Sequence, residues 1–157
     1  MRIGVIADTH GWLDPRALEA FAGVDVILHA GDLGALAIVD ALRTVAPVHV
    51  VRGNTDTTPD LLALPAYLDL DLAGHRVHLV HRPQDARPAA ATIVVYGHTH
   101  KVTVAQRDGV WWVNPGAAGR RGFHTERTLA LLDLGAAPRV TTVALGPRSA
   151  RAAAEAR

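Results

Sequence analysis

Seven side chains of metal-binding type stand just past short apolar runs of the sequence. The stretch "YGHTHK" (96–101) carries His98 and His100 two apart. In an α-helix residues at that spacing point about 200° from one another, whereas in extended chain they share a side, so the pair reads as a strand-end loop presenting two imidazoles. "ADTH" offers Asp8 and His10 at the same spacing, "HAGDLG" offers Asp32, "RGNTD" offers Asn54, and "HLVH" ends in His81. Two carboxylates, one carboxamide and four imidazoles are more donors than a single four-coordinate zinc takes. They suit two divalent ions of the Mn, Fe, Co or Zn type. Such a pair, roughly 3.5 to 4 Å apart and bridged by a carboxylate, brings the pKa of bound water to about 7 and yields a nucleophile without a serine.

Taken singly, each residue has a plainer reading. An Asp after a strand usually caps the next helix or a turn, and a lone histidine is usually core or surface. That plainer reading is kept for His49, His75, His78 and His124, while His29, three residues before Asp32, reads as an orienting neighbour. Trp111 and Trp112 point to opposite faces of a strand and read as core. Arg52, Arg120 and Arg121 read as solvated, with contact to a substrate phosphate as the lesser alternative. The conjunction of the seven is what carries chemistry.

The elements that position them follow from periodicity. "RIGVIA" (2–7), "VDVILHA" (24–30) and "VHVVRG" (48–53) are buried strands, joined by a helix that starts at Asp14-Pro15 and ends at Gly23, and by a second helix in "GALAIVDALRTVA" (34–46). This βαβαβ half favours a parallel sheet with right-handed crossovers. The rest is richer in strands. "AYLDLDL" and "HRVHLVH" make one hairpin, "TIVVY" (92–96) is a buried strand, and "KVTVAQ" and "VWWVN" make a hairpin turning at Asp108-Gly109; "TLALLDL" and "RVTTVAL" complete the set. The class is α/β with mixed sheets packed together. In open α/β sheets the carboxyl ends of strands converge on one crevice, and both asparagines of the chain, Asn54 and Asn114, lie at strand ends.

Bulk composition narrows the chemistry further. A chain of 157 residues, 49% hydrophobic, suits one core, and we read residues 1–146 as a single domain with 147–157 as a tail, frayed helix or disordered. With no cysteine, any metal is held by nitrogen and oxygen. The one serine, Ser149, falls in the tail, which leaves water, threonine and carboxylate as nucleophiles. A net charge of +1 gives no electrostatic ground for a nucleic-acid partner. The N-terminal apolar run is too short for a signal segment and no stretch approaches a membrane span, so a cytoplasmic location is the expectation. Leu/Ala-rich helices and strand edges permit a homo-oligomer.

As a set, "DxH", "GDxG", "GNxD", an isolated histidine and "GHTH" followed by "NPG" resemble the calcineurin-like metallophosphoesterases, most closely the small single-domain (YfcE-like) phosphodiesterase branch, which also includes a eukaryotic retromer scaffold subunit. The motifs run from Asp8 to Gly116. The resemblance implies a four-layer α/β/β/α sandwich of two packed mixed sheets. It further implies that Asp8, His10 and His100 hold one ion, that Asn54, His81 and His98 hold the other, and that Asp32 bridges them, with manganese first among Mn, Fe, Zn, Co and Ni. The implied reaction is attack of the bridging hydroxide on a small phosphate ester, with Asp32, Asn54 and His98 closest to catalysis. Asn114, in "NPG", is expected to shape the site from behind.

Four positions depart from the family pattern. Position 55 is Thr, where many larger members carry a histidine thought to protonate the leaving group, so activated diesters are favoured over alkyl monoesters. Arg82 follows His81 in place of glycine, and is expected to crowd the second ion or to contact phosphate. Ala117 replaces the serine common after "NPG". The connection from His81 to the next strand, about ten residues, is too short for the usual helix and opens the cleft. The rival from another class is a protein-interaction scaffold on the same fold with weak or no catalysis, and a hydrolase for nucleotides or cyclic nucleotides is a refinement of the first reading.

Overall fold

The computed structural model describes residues 1–148; the tail expectation for 147–157 therefore falls mostly outside the described residues. Two five-stranded mixed sheets pack face to face. In the first, β1 (Arg2–Ile6), β2 (Val26–His29) and β3 (Val48–Val50) run parallel, and β9 (Glu126–Asp133) and β10 (Arg139–Pro147) add antiparallel strands on the other side of β1, in the order β10-β9-β1-β2-β3. The second, ordered β4-β5-β6-β8-β7, joins the hairpin β4 (Tyr67–Leu72) and β5 (His75–Val80) to the hairpin β7 (Val102–Arg107) and β8 (Val110–Pro115) through the short parallel strand β6 (Ile93–Val95).

Alternation along these strands decides what each face does. Ile3, Val5, Ala7, Val26 and Leu28 meet Val77, Leu79, Ile93, Val95 and Val113 between the sheets in one buried layer. The opposite face of the first sheet, with Ile6, Ile27, Leu129 and Leu131, receives Ala17 and Phe21 from α1 (Pro15–Ala20) and its end, and Ile38 and Leu42 from α2 (Ala37–Arg43). Asp14 caps α1 as expected, accepting from the Arg16 amide at 3.0 Å ahead of Pro15. A short α3 (Pro59–Leu62), which periodicity did not single out, packs Leu61 against Leu33, Val39 and Val50. The outer face of the second sheet is covered thinly: one 3-10 turn (Pro83–Asp85) stands between β5 and β6, and Val80, Val94 and Tyr96 pack with Ala91 and Trp112. Trp111 lies against the inter-sheet layer and Trp112 on the outer face, the opposed placement that their adjacency predicts. β10 runs to Pro147, one residue past the expected boundary.

Candidate metal centre

The strand ends of both sheets open at the same side of the sandwich. Asp8 and His10 follow β1, Asp32 follows β2 and Asn54 follows β3; facing them, His81 follows β5 while His98 and His100 follow β6. All seven are brought into one site. The donor atoms of Asp8, His10 and His100 lie within 4.8 Å of one another, and so do those of Asp8, Asp32 and His81. His100 Nε2 stands 3.4 Å from Asp8 Oδ1. Asp32 faces one imidazole on each side, with Oδ2 3.8 Å from His10 Nε2 and Oδ1 3.4 Å from His81 Nε2. Asn54 Oδ1 is 2.9 Å from both His81 Nε2 and His98 Nδ1.

Backbone conformation marks the same residues. Among the described residues, seven that are not glycine have positive φ. Two of them, Ala73 and Asp108, precede Gly74 and Gly109 in the two hairpin turns, where paired positive φ is the preferred geometry. The other five are Asp8 (56°), His10 (49°), Asp32 (56°), His98 (67°) and His100 (57°). Left-handed backbone costs a side-chain-bearing residue free energy, and it persists where the surroundings over-determine it, typically at functional sites. Gly53 shows the closeness of the packing: a Cβ there would run into the carboxylate and amide of Asp32.

Hydrogen bonds from behind hold the loops. Asp56, the last residue of "GNxD", is buried and accepts from the amides of Leu33 (3.1 Å), Gly34 (2.9 Å) and Gly53 (2.8 Å), tying the loop after β2 to the loop after β3. Asn114 Nδ2 donates to Gly97 O (2.8 Å) and Thr99 Oγ1 (3.0 Å), and its Oδ1 accepts from the Gly116 amide. Beneath Asp8 and Asp32, His29 Nδ1 accepts from the Gly31 amide. This leaves Nε2–H to donate to Thr9 Oγ1, whose hydroxyl donates to Leu33 O. Burial pushes His29 down to about 4, so the ring is neutral.

Electrostatics differ among the histidines. His81 Nδ1 faces the Ala30 carbonyl at 2.8 Å, which turns Nε2 toward Asn54 Oδ1 and Asp32 Oδ1. Burial alone would lower its pKa; the hydrogen bond and charge of Asp32 outweigh that and raise it. Burial likewise opposes ionisation of Asp32, yet the His81 contact and the Thr55 amide bring its pKa well below the ordinary carboxylate range. Burial lowers His10 and His98, which favours neutral rings that can donate to a cation.

Two cavities border the site. One of about 230 Å³ is lined by Arg52, Asn54, His81, Arg82 and Asp85 among others. Arg82 is paired there with Asp85 at 2.6 Å, and Arg52 donates to the Leu62 and Leu64 carbonyls. The other, about 500 Å³, opens over His10, Asp32, Asn54, Thr55, His98 and His100 and is bounded by the segment around Arg121 to His124. His124, read from sequence as an ordinary histidine, packs on His100 with ring centroids 5.2 Å apart. Sequence spacing missed it because His124 lies well past the end of β8, in a connection to β9 that has no regular element to carry a period. His78 is buried, with Nδ1 2.8 Å from Asp69 Oδ1, away from the site.

Comparison with known proteins agrees with this architecture. The model of the calcineurin-like phosphoesterase superfamily domain matches residues 1–137. A protein of Methanothermobacter thermautotrophicus described as a probable metallophosphoesterase is 32% identical over 133 residues, 74% of this chain and 77% of its own. Among solved structures, the phosphoesterase YfcE of E. coli matches with a TM-score of 0.66 at 27% identity, covering 85% of this chain and 88% of that one. A single-residue variant of Vps29 from Entamoeba histolytica matches with a TM-score of 0.74 at 22% identity, covering 93% and 100%. The chain belongs to the calcineurin-like phosphoesterase superfamily.

Proposed function

We propose that this chain is a phosphodiesterase that works with two divalent ions, manganese first among them. Asp8, His10 and His100 would hold one ion and Asn54, His81 and His98 the other, with Asp32 between the two sets. The observation that carries this reading is the stance of Asp32, whose two carboxylate oxygens each face an imidazole of a different set. The donor set fits such ions: it is oxygen and imidazole throughout, without thiolate, and it converges at strand ends held in left-handed backbone. Ions bound there supply nucleophilic solvent at neutral pH and polarise the phosphoryl oxygens.

The chain's own residues do the rest. Ala30 O fixes the His81 ring with Nε2 toward the site, Asn114 holds the loop that carries His98 and His100, and Asp56 keeps Asp32 and Asn54 in register. Thr55 lines the larger cavity where an imidazole acid would stand in the family's bigger members, and it has no proton to give a poor leaving group at neutral pH. That favours diesters with good leaving groups over alkyl monoesters.

The test is turnover of bis(p-nitrophenyl) phosphate with added Mn²⁺. Asp32→Ala lowers kcat on the order of 10³-fold or more, and near wild-type rates in that variant would sink the mechanism. A purified protein that binds no metal and stays inactive with added manganese would instead favour a protein-interaction scaffold on the same fold.

A further inference from the structure

The segment from Gly119 to His124 forms a rim over the larger cavity, and it is pinned at both ends. The Gly119 amide donates to Asp8 O at 3.1 Å, the Arg120 guanidinium lies 3.9 Å over the Trp12 ring, and His124 Nε2 donates to Gly119 O at 3.0 Å. Arg148 adds a bond from Nε to His124 O (2.7 Å). Gly122, at φ 118°, lies so close to the His100 ring that a Cβ would collide with it. Between these anchors the tip presents Phe123 wholly to solvent, at 104% of its reference exposure, while the chain's other phenylalanine, Phe21, is completely buried.

An exposed ring on a pinned loop beside a cavity has a use that an exposed ring on a free loop lacks. Two cations, Lys101 and Arg121, line the same cavity, and among the described residues neither makes an ion pair. Lys101 is the chain's one lysine. The cavity therefore combines an apolar aromatic face, unneutralised positive charge and the metal-donor cluster. A flat aromatic group next to a phosphate satisfies all three, and nucleotides carry that chemistry: any base has a π-face that stacks on an aromatic side chain, and the cations attract the anion.

We propose that Phe123 is a specificity-determining stacking platform, and that the preferred substrate is a nucleoside phosphodiester whose base lies on Phe123 while Arg121 and Lys101 face its phosphate. This rests on the phosphodiesterase reading and adds the substrate class.

The test uses two diesters with one leaving group, thymidine 5′-(p-nitrophenyl phosphate) and ethyl p-nitrophenyl phosphate, with Mn²⁺ present. In wild type kcat/KM favours the nucleoside diester by about tenfold or more; in Phe123→Ala that preference falls by about tenfold, and in Phe123→Trp it is retained. A second measurement, calorimetric binding of thymidine 5′-monophosphate with Mn²⁺, shows a Kd about tenfold weaker in Phe123→Ala. An unchanged preference, or equal nucleotide binding by wild type and Phe123→Ala, overturns the platform even while both diesters turn over. Failure to hydrolyse either diester, with nucleotide binding lost in Phe123→Ala, removes the hydrolase reading and keeps the nucleotide site.

Discussion

A carboxylate or imidazole can be put where a cation needs it only if its backbone is held there, and five of the seven candidate ligands are held at positive φ. The residue types and the i, i+2 spacing were legible from the chain because strand geometry dictates which side chains share a face. The left-handed bends after β1, β2 and β6 were not, because they depend on contacts such as the Asp8 amide to Gly31 O and the His10 amide to Asp32 O, made across more than twenty residues. His29 shows what the framework costs. Unfolded, it takes a proton near 6.5; folded, it stays neutral down to about 4. Between those values the unfolded chain binds more protons, so acidification from pH 6.5 toward 4 destabilises the fold, by up to about 3 kcal/mol. Urea midpoints should fall over that window in wild type, with a shallower slope in His29→Gln; parallel slopes would assign the loss to other groups.

At the level of elements, the site depends on the loop after β6 as much as on the strands. Asn114, reaching from β8, satisfies the buried Gly97 carbonyl and the Thr99 hydroxyl. Asn114→Ala removes the acceptor of the buried Gly116 amide, at about 1 to 3 kcal/mol of stability, and loosens His98 and His100, so Mn²⁺ affinity should drop by about 10- to 100-fold. Calorimetric titration with Mn²⁺ checks this; full affinity alongside a lowered Tm would make Asn114 a fold residue only. Sequence placed Asn114 behind the site because it sits at a strand end in "NPG". It did not reveal α3, a helix of four residues with too few turns to show a period. Nor did it place His124 and Phe123 at the rim, since the fold of that segment over His100 is decided by long-range anchors on Trp12 and Arg148. Arg82, expected near the second ion or a phosphate, is engaged by Asp85 in the 3-10 turn.

Taken whole, the molecule draws its donors from both sheets: Asp8, His10, Asp32 and Asn54 from one, His81, His98 and His100 from the other. Ligand that binds only the folded state stabilises it, by about 2.7 kcal/mol at a hundredfold excess over Kd. For a chain of this size that is a rise in Tm of roughly 5 to 10 °C on adding Mn²⁺, reversed by a chelator. The rise should shrink as pH falls, because a cation must displace the Nε2 proton of His81, whose pKa is raised, before it can use that nitrogen. A thermal scan with and without Mn²⁺ at pH 8 and pH 6 measures it; equal gains at both would show that His81 does not take part.

The apolar layer between the sheets has a second role that follows from its position. Leu28, Val77, Leu79, Ile93 and Val95 set how far apart the two β-faces stand, and therefore how wide the mouth gapes where the two groups of donors confront each other. A hydrocarbon filling that carries no donor of its own is thus the spacer that sets the gap between the two groups of donors.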